Sequence, residues 1–160
     1  MDTDQGQYIG IDDNRLAHMW EVGRLCYGLA ADPLGWDEQR CRQMFNMGFL
    51  HDVGYEFSEK QTDHEEVCGT LLAEARYAHA EPIRRHGDPG ADLSDDRLLI
   101  LNAADMSVSK NGQRVGFAAR LADIAARYGK DSPQYENSAR MIDAVSDELK
   151  RRGLATSLLG

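Results

Sequence analysis

Residues 13–31 read DNRLAHMWEVGRLCYGLAA, and the spacing inside this stretch decides the architecture. His18, Val22, Leu25 and Leu29 fall at offsets of four, seven and eleven, the period of one face of an α-helix, and Asp32-Pro33-Leu34-Gly35 ends the run. That face should point inward, so the stretch predicts a core helix with a histidine among its apolar residues. An imidazole on such a stripe is costly unless hydrogen bonds or a cation hold it.

The same period continues through most of the chain. A second helix is expected from about residue 37 to His51-Asp52, after which Gly54 loosens the backbone. Thr62-Asp63-His64-Glu65 matches the capping-box pattern, predicting a third helix to about residue 80, where Pro82 breaks or restarts it. A short helical piece ends at His86-Gly87, and Asp88-Pro89-Gly90 reads as a turn. Helices over about 94–106, 115–128 and 133–152 complete the set, with Gly129 as a stop, Ser132 as an N-cap and residues 107–112 as a loop. Strand-like alternation is hard to find, so the expectation is an all-α bundle of about six to seven helices. At 160 residues the chain suits one domain, residues 1–160, with a core over about 14–128 and an added C-terminal helix over 129–152.

Composition narrows the function. Twenty-seven acidic against eighteen basic residues give a formal charge of −9, which argues against binding a nucleic-acid polymer. An anionic substrate would need a local cationic site. No segment approaches the roughly 20 apolar residues of a membrane span, so no membrane association is expected. Cys26, Cys41 and Cys68 lack CxxC spacing and come without a secretory leader, which sets a reducing cytoplasm as the expected compartment.

Four of the five histidines and two aspartates occur in the order His18, His51-Asp52, His64, His86, Asp105, mostly where core residues belong. His64 precedes Val67, Cys68, Leu71 and Leu72, and Asp105 shares a stripe with Leu98, Leu101 and Val108. His51-Asp52 come after Met44, Met47 and Leu50, and His86 stands one turn after Ile83. One inward histidine is usually just hydrogen-bonded, and a His-Asp dipeptide arises by chance. Together they point elsewhere: buried charges need partners, and imidazole with carboxylate is a divalent-metal ligand set. His79 lies 15 residues beyond His64. On one continuous helix, at about 1.5 Å per residue, the two would stand roughly 22 Å apart, so His79 is left out of the set.

In this order the chain resembles the HD superfamily of metal-dependent phosphohydrolases, whose signature is a His, a later His-Asp doublet and then an Asp. Here these are His18, Phe49-Leu50-His51-Asp52-Val53-Gly54 and Asn102-Ala103-Ala104-Asp105, over roughly residues 14–128. The resemblance implies that His18, His51, Asp52 and Asp105 bind one divalent metal. His64 and His86 match the extra histidines of two-metal members, which implies a dinuclear site bridged by Asp52. Among subgroups the arrangement is most similar to bacterial symmetrical diadenosine tetraphosphate hydrolases, although Tyr55-Glu56 stand where those enzymes have Gly or Ala and then Lys.

The resemblance implies a function as well: hydrolysis of a phosphate ester or anhydride in a small phosphorylated metabolite, of nucleotide type. Two divalent ions about 3.5–4 Å apart lower the pKa of a bridging water, supplying hydroxide for in-line attack on phosphorus. Iron or manganese is favoured, with cobalt, nickel and zinc as alternatives. Asp52 and Lys110 are the expected catalytic residues, and Lys60, Arg85, Lys110 and Arg114 the expected substrate contacts. Asp63, Glu66 and Glu21 are candidate acceptors for the second nitrogens of the ligand histidines. Trp20 and Trp36 are expected to pack. Two other readings stand beside the hydrolase: a diiron oxygenase of the same superfamily and a metal-retaining sensor module. In the phosphonate-cleaving oxygenases a Tyr and a Glu precede the first His; Tyr8 fits, but Ile11 stands where the Glu would be. The last helix leaves a homodimer open.

Overall fold

The computed structural model describes residues 10–58 and 61–154. Within them the chain forms seven α-helices and two short 3-10 turns, with no strand beyond one isolated bridge between Val108 and Arg114. The helices are α1 (Asp13–Ala31), α2 (Glu38–Leu50), α3 (His64–Glu74), α4 (Ala80–Arg85), α5 (Asp96–Asp105), α6 (Gly116–Tyr128) and α7 (Pro133–Arg151). The all-α expectation holds for these residues. None of the helices is long and apolar enough to cross a membrane. Tyr8 and Lys60, singled out in the sequence, lie outside the described residues.

Four helices begin on a side-chain cap, at Asp12, Asp37, Asp95 and Ser132, each accepting from a backbone N–H in the first turn. A cap of this kind is worth about 0.5–2 kcal/mol. The capping box at Thr62 does not form: Gln61–Asp63 is a 3-10 turn, and Asp63 precedes α3 without a side-chain cap. Nor does α3 reach residue 80. It ends at Glu74 because Arg76 takes a left-handed φ of 59°, while Arg76 N–H donates to Ala73 O (2.9 Å) and Tyr77 N–H to Leu72 O (2.8 Å). That is the Schellman stop, here without its usual glycine. The chain restarts at Ala80, which places Pro82 in a first turn where its missing N–H costs nothing.

The core is one hydrophobic cluster drawing on helices from α1 to α7, with Leu25, Met44, Leu101 and Met141 among its most buried members. Helices α1 and α2 run antiparallel and very close. A Cβ on Gly48 would lie 2.8 Å from Cys26 Sγ and 2.9 Å from Gly23 Cα, so the two backbones touch there. This contact brings His18, near the start of α1, beside His51 at the end of α2, with ring centroids 5.4 Å apart. Gly54 does not loosen the backbone as expected; it lets the turn after His51-Asp52 press on α3, since a Cβ would lie 2.1 Å from His64 O. Trp20 packs edge-on against Phe45 but remains half exposed, and Trp36 lies under Arg40.

Candidate metal centre

The six residues expected as ligands meet at one place. His18 comes from α1, His51 and Asp52 from the end of α2, His64 from the first turn of α3, His86 from the cap of α4, and Asp105 from the last turn of α5. Helix ends converge here, which turns the donor atoms inward while the shafts supply the core. The four imidazoles and Asp52 are buried; Asp105 keeps its side chain 17% exposed toward a cleft.

Each imidazole is oriented by its Nδ1. That nitrogen donates to Ser109 O in His18 (2.9 Å), to Gly48 O in His51 (2.6 Å) and to Ile83 O in His86. In His64 it meets Glu65 Oε2 at 3.1 Å. Carbonyl oxygens only accept, so those Nδ1 atoms carry the proton, and in the neutral ring the lone pair sits on Nε2. This is the outer support that metal-binding histidines require. The acceptors are not the candidates expected from the sequence. Glu21 pairs with Arg24 and Arg114, Glu66 with Arg84, and Asp63 takes the Thr62 hydroxyl.

All four Nε2 atoms face the two carboxylates. Asp105 Oδ1 lies 3.0 Å from His18 and 3.4 Å from His51. Asp52 Oδ1 lies 3.3 Å from His64, 3.4 Å from His51 and 3.7 Å from His86, and its Oδ2 lies 3.7 Å from His18. Asp52 therefore stands between two sets of imidazoles. His51 Nε2 is fully buried with no properly directed hydrogen-bond partner. Leaving such an atom unsatisfied costs about 1–3 kcal/mol, which a cation accepting its lone pair would remove. Among the described residues, three groups have ligand atoms within 4.8 Å of one another and could hold a metal ion: His18, His51 and Asp105; His51, Asp52 and His86; His64, Glu65 and His86. The residues present fit a divalent cation in donor type, burial and orientation.

Electrostatics point the same way. Burial works to neutralise Asp52 and Asp105, yet the charge and hydrogen bonds of the surrounding imidazoles outweigh it and hold both carboxyls well below the usual range. Burial likewise works against charge on His51 and His86, but the carboxylates raise both. The pair of buried negative charges draws whatever positive charge can reach it.

One such charge was missed in the sequence. Arg15, three residues before His18, reaches Asp52 Oδ2 at 3.0 Å and lies 3.8 Å over the Tyr55 ring. Tyr55 in turn stacks on His64, centroids 4.0 Å apart. The offset of three from a buried histidine was the available signal, because it places Arg15 on the same helix face.

The centre opens into a cleft of about 440 Å³ between the ligand-bearing segments and α6–α7. Lys110 lines a smaller recess adjoining it, whereas Arg85 turns to Glu81 (3.1 Å) and Arg114 to Glu21, both away from the cleft. The cleft's own cation from α6 is Arg120, which the sequence reading also missed. It shares an inward stripe with Phe117 and Ile124 at offsets of three and seven, an arginine where an apolar residue belongs. Among known proteins, the chain matches no family model, no curated protein and no solved structure.

Proposed function

We propose that this chain is a metal-dependent phosphohydrolase of the HD type, acting on a small phosphorylated metabolite of nucleotide class. The observation that carries the reading is the convergence of four Nδ1-anchored imidazoles, through their Nε2 atoms, on Asp52 and Asp105. In this reading His18, His51, Asp52 and Asp105 hold one divalent ion, and Asp52, His64 and His86 a second, with iron or manganese the expected occupants. Ions bound there supply Lewis-acid polarisation of a phosphoryl oxygen and activation of a water.

The chain's own residues do the rest. Ser109, Gly48, Ile83 and Glu65 fix the tautomers, so the donors need no rearrangement. Tyr55 fixes the plane of Arg15, whose guanidinium sits beside Asp52 where a phosphoryl group would enter. Asp52 is the residue both ion positions depend on, and Lys110 acts in the adjoining recess, at the substrate's periphery.

The test is anaerobic incubation of manganese-loaded protein with nucleotides, dinucleoside polyphosphates and a chromogenic phosphodiester. Manganese-dependent product release, abolished by Asp52→Ala, is expected. Metal-loaded protein that hydrolyses nothing in the panel contradicts the reading, and dioxygen-dependent turnover of a phosphonate would replace it with the oxygenase.

A further inference from the structure

The cleft has two chemically different ends. Asp52, His64, His86 and Asp105 line it at the metal centre, while Lys110 and Arg127 line the adjoining recess of about 180 Å³; Arg15 and Arg120 line both. Four cationic side chains thus face a small volume in a chain whose formal charge is −9, so their concentration is not explained by composition.

Arg120 is the telling member. Its Nε and Nη1 are buried and have no hydrogen-bond partner, and the nearest carboxylate oxygen, Asp123 Oδ2, stands 3.7 Å away without hydrogen-bond geometry. Asp123 is shared with Arg127 at 2.9 Å, leaving one carboxylate against two guanidiniums on α6. Across the recess α7 offers the uncharged Gln134 and Ser138 rather than acids. Packing alone does not reward a guanidinium that keeps two buried nitrogens unpartnered; an oxyanion in the recess would accept two guanidinium N–H groups at once.

We infer that the recess is an oxyanion subsite built on Arg120, and that the substrate is a bis-anion. One phosphoryl group goes to the metal centre and a second oxyanion, phosphoryl or carboxylate, to Arg120 with Arg127 and Lys110. The inference rests on the metal-centre reading for the first group and on the recess alone for the second.

Calorimetric titration of manganese-loaded protein with orthophosphate, methylenediphosphonate and phosphonoacetate separates the two. At least one bis-anion binds the wild type about ten-fold or more tighter than orthophosphate, and Arg120→Met removes most of that margin, weakening orthophosphate much less and leaving manganese content unchanged. The tighter of the two bis-anions identifies the second group as phosphoryl or carboxylate. Should Arg120→Met fail to fold by circular dichroism, Arg120→Lys, which keeps charge and stem but not the fork, must weaken the bis-anion several-fold. Equal wild-type affinity for all three ligands, or an Arg120 variant that weakens all three equally, overturns the subsite. If the protein takes up no manganese, the metal reading falls separately. Methylenediphosphonate titrated into that protein then decides the recess: binding that depends on Arg120 sustains it, and binding that does not overturns it.

Discussion

His18 Nε2 stands 3.0 Å from Asp105 Oδ1 although 87 residues separate them along the chain. The pair ties α1 to the end of α5, and both side chains lose most of their water to make it. A double-mutant cycle of His18→Ala and Asp105→Ala in chelator-treated protein, read by urea denaturation, should give a coupling energy of about 1–3 kcal/mol. Coupling within about 0.3 kcal/mol of zero would mean that the two groups do not interact in solution.

Gly54→Ala tests the packing that delivers His64. The added methyl would meet His64 O at 2.1 Å and Cys68 Cβ at 2.7 Å, so α3 must move away from the His51-Asp52 turn. A loss of about 1–3 kcal/mol in thermal or urea denaturation is expected, together with weaker metal binding, because the shifted backbone carries the His64 ring. Unchanged stability and metal affinity would show that the turn and α3 are less closely packed.

Metal affinity should fall with acidity. His51 and His86 are raised above the ordinary imidazole value, so each holds its Nε2 proton to a higher pH than a free histidine and must release it to bind a cation. Lowering the pH through those raised values therefore weakens binding, and raising it beyond them has no further effect. Manganese affinity measured at pH 6 and pH 8 should differ by about ten-fold or more, tighter at pH 8. Equal affinity at the two values contradicts the assignment of these rings as ligands.

His79 provides the control among the histidines. It stands at the start of α4, beside the Tyr77 ring and Arg97, away from the cluster. His79→Ala should leave the metal content per chain unchanged by elemental analysis, whereas His64→Ala should lower it. Loss of metal in the first and not in the second would invert the ligand set.

Some of these features are written in residue type and others only in packing. His18 among Val22, Leu25 and Leu29 made α1 and its buried donor legible, because helical period and burial both depend on residue type. Ser132 announced α7 for the same reason. The end of α3 was not legible: the stop is a left-handed arginine, Arg76, where the rule looks for glycine. Thr62 and Glu65 matched a capping box, but the Glu65 carboxylate goes to His64 Nδ1 instead, a use that spacing does not reveal. Three of the four Nδ1 acceptors are backbone carbonyls, which every residue has, so no sequence could single out Gly48, Ile83 or Ser109. Arg15 and Arg120 were legible only as charges on inward stripes, beside His18 and between Phe117 and Ile124; what they face is set by how the helices pack. Arg85 and Arg114 looked better placed, yet ion pairs with Glu81 and Glu21 take them.

Six donors sharing one cation-binding centre are the central claim, and crystals of manganese-loaded protein measured at the manganese absorption edge test it directly. Anomalous peaks should stand on the two sides of Asp52, one bounded by His18, His51 and Asp105, the other by His64 and His86. Saturating manganese with no anomalous peak among these side chains, or with a peak only elsewhere on the surface, would contradict it.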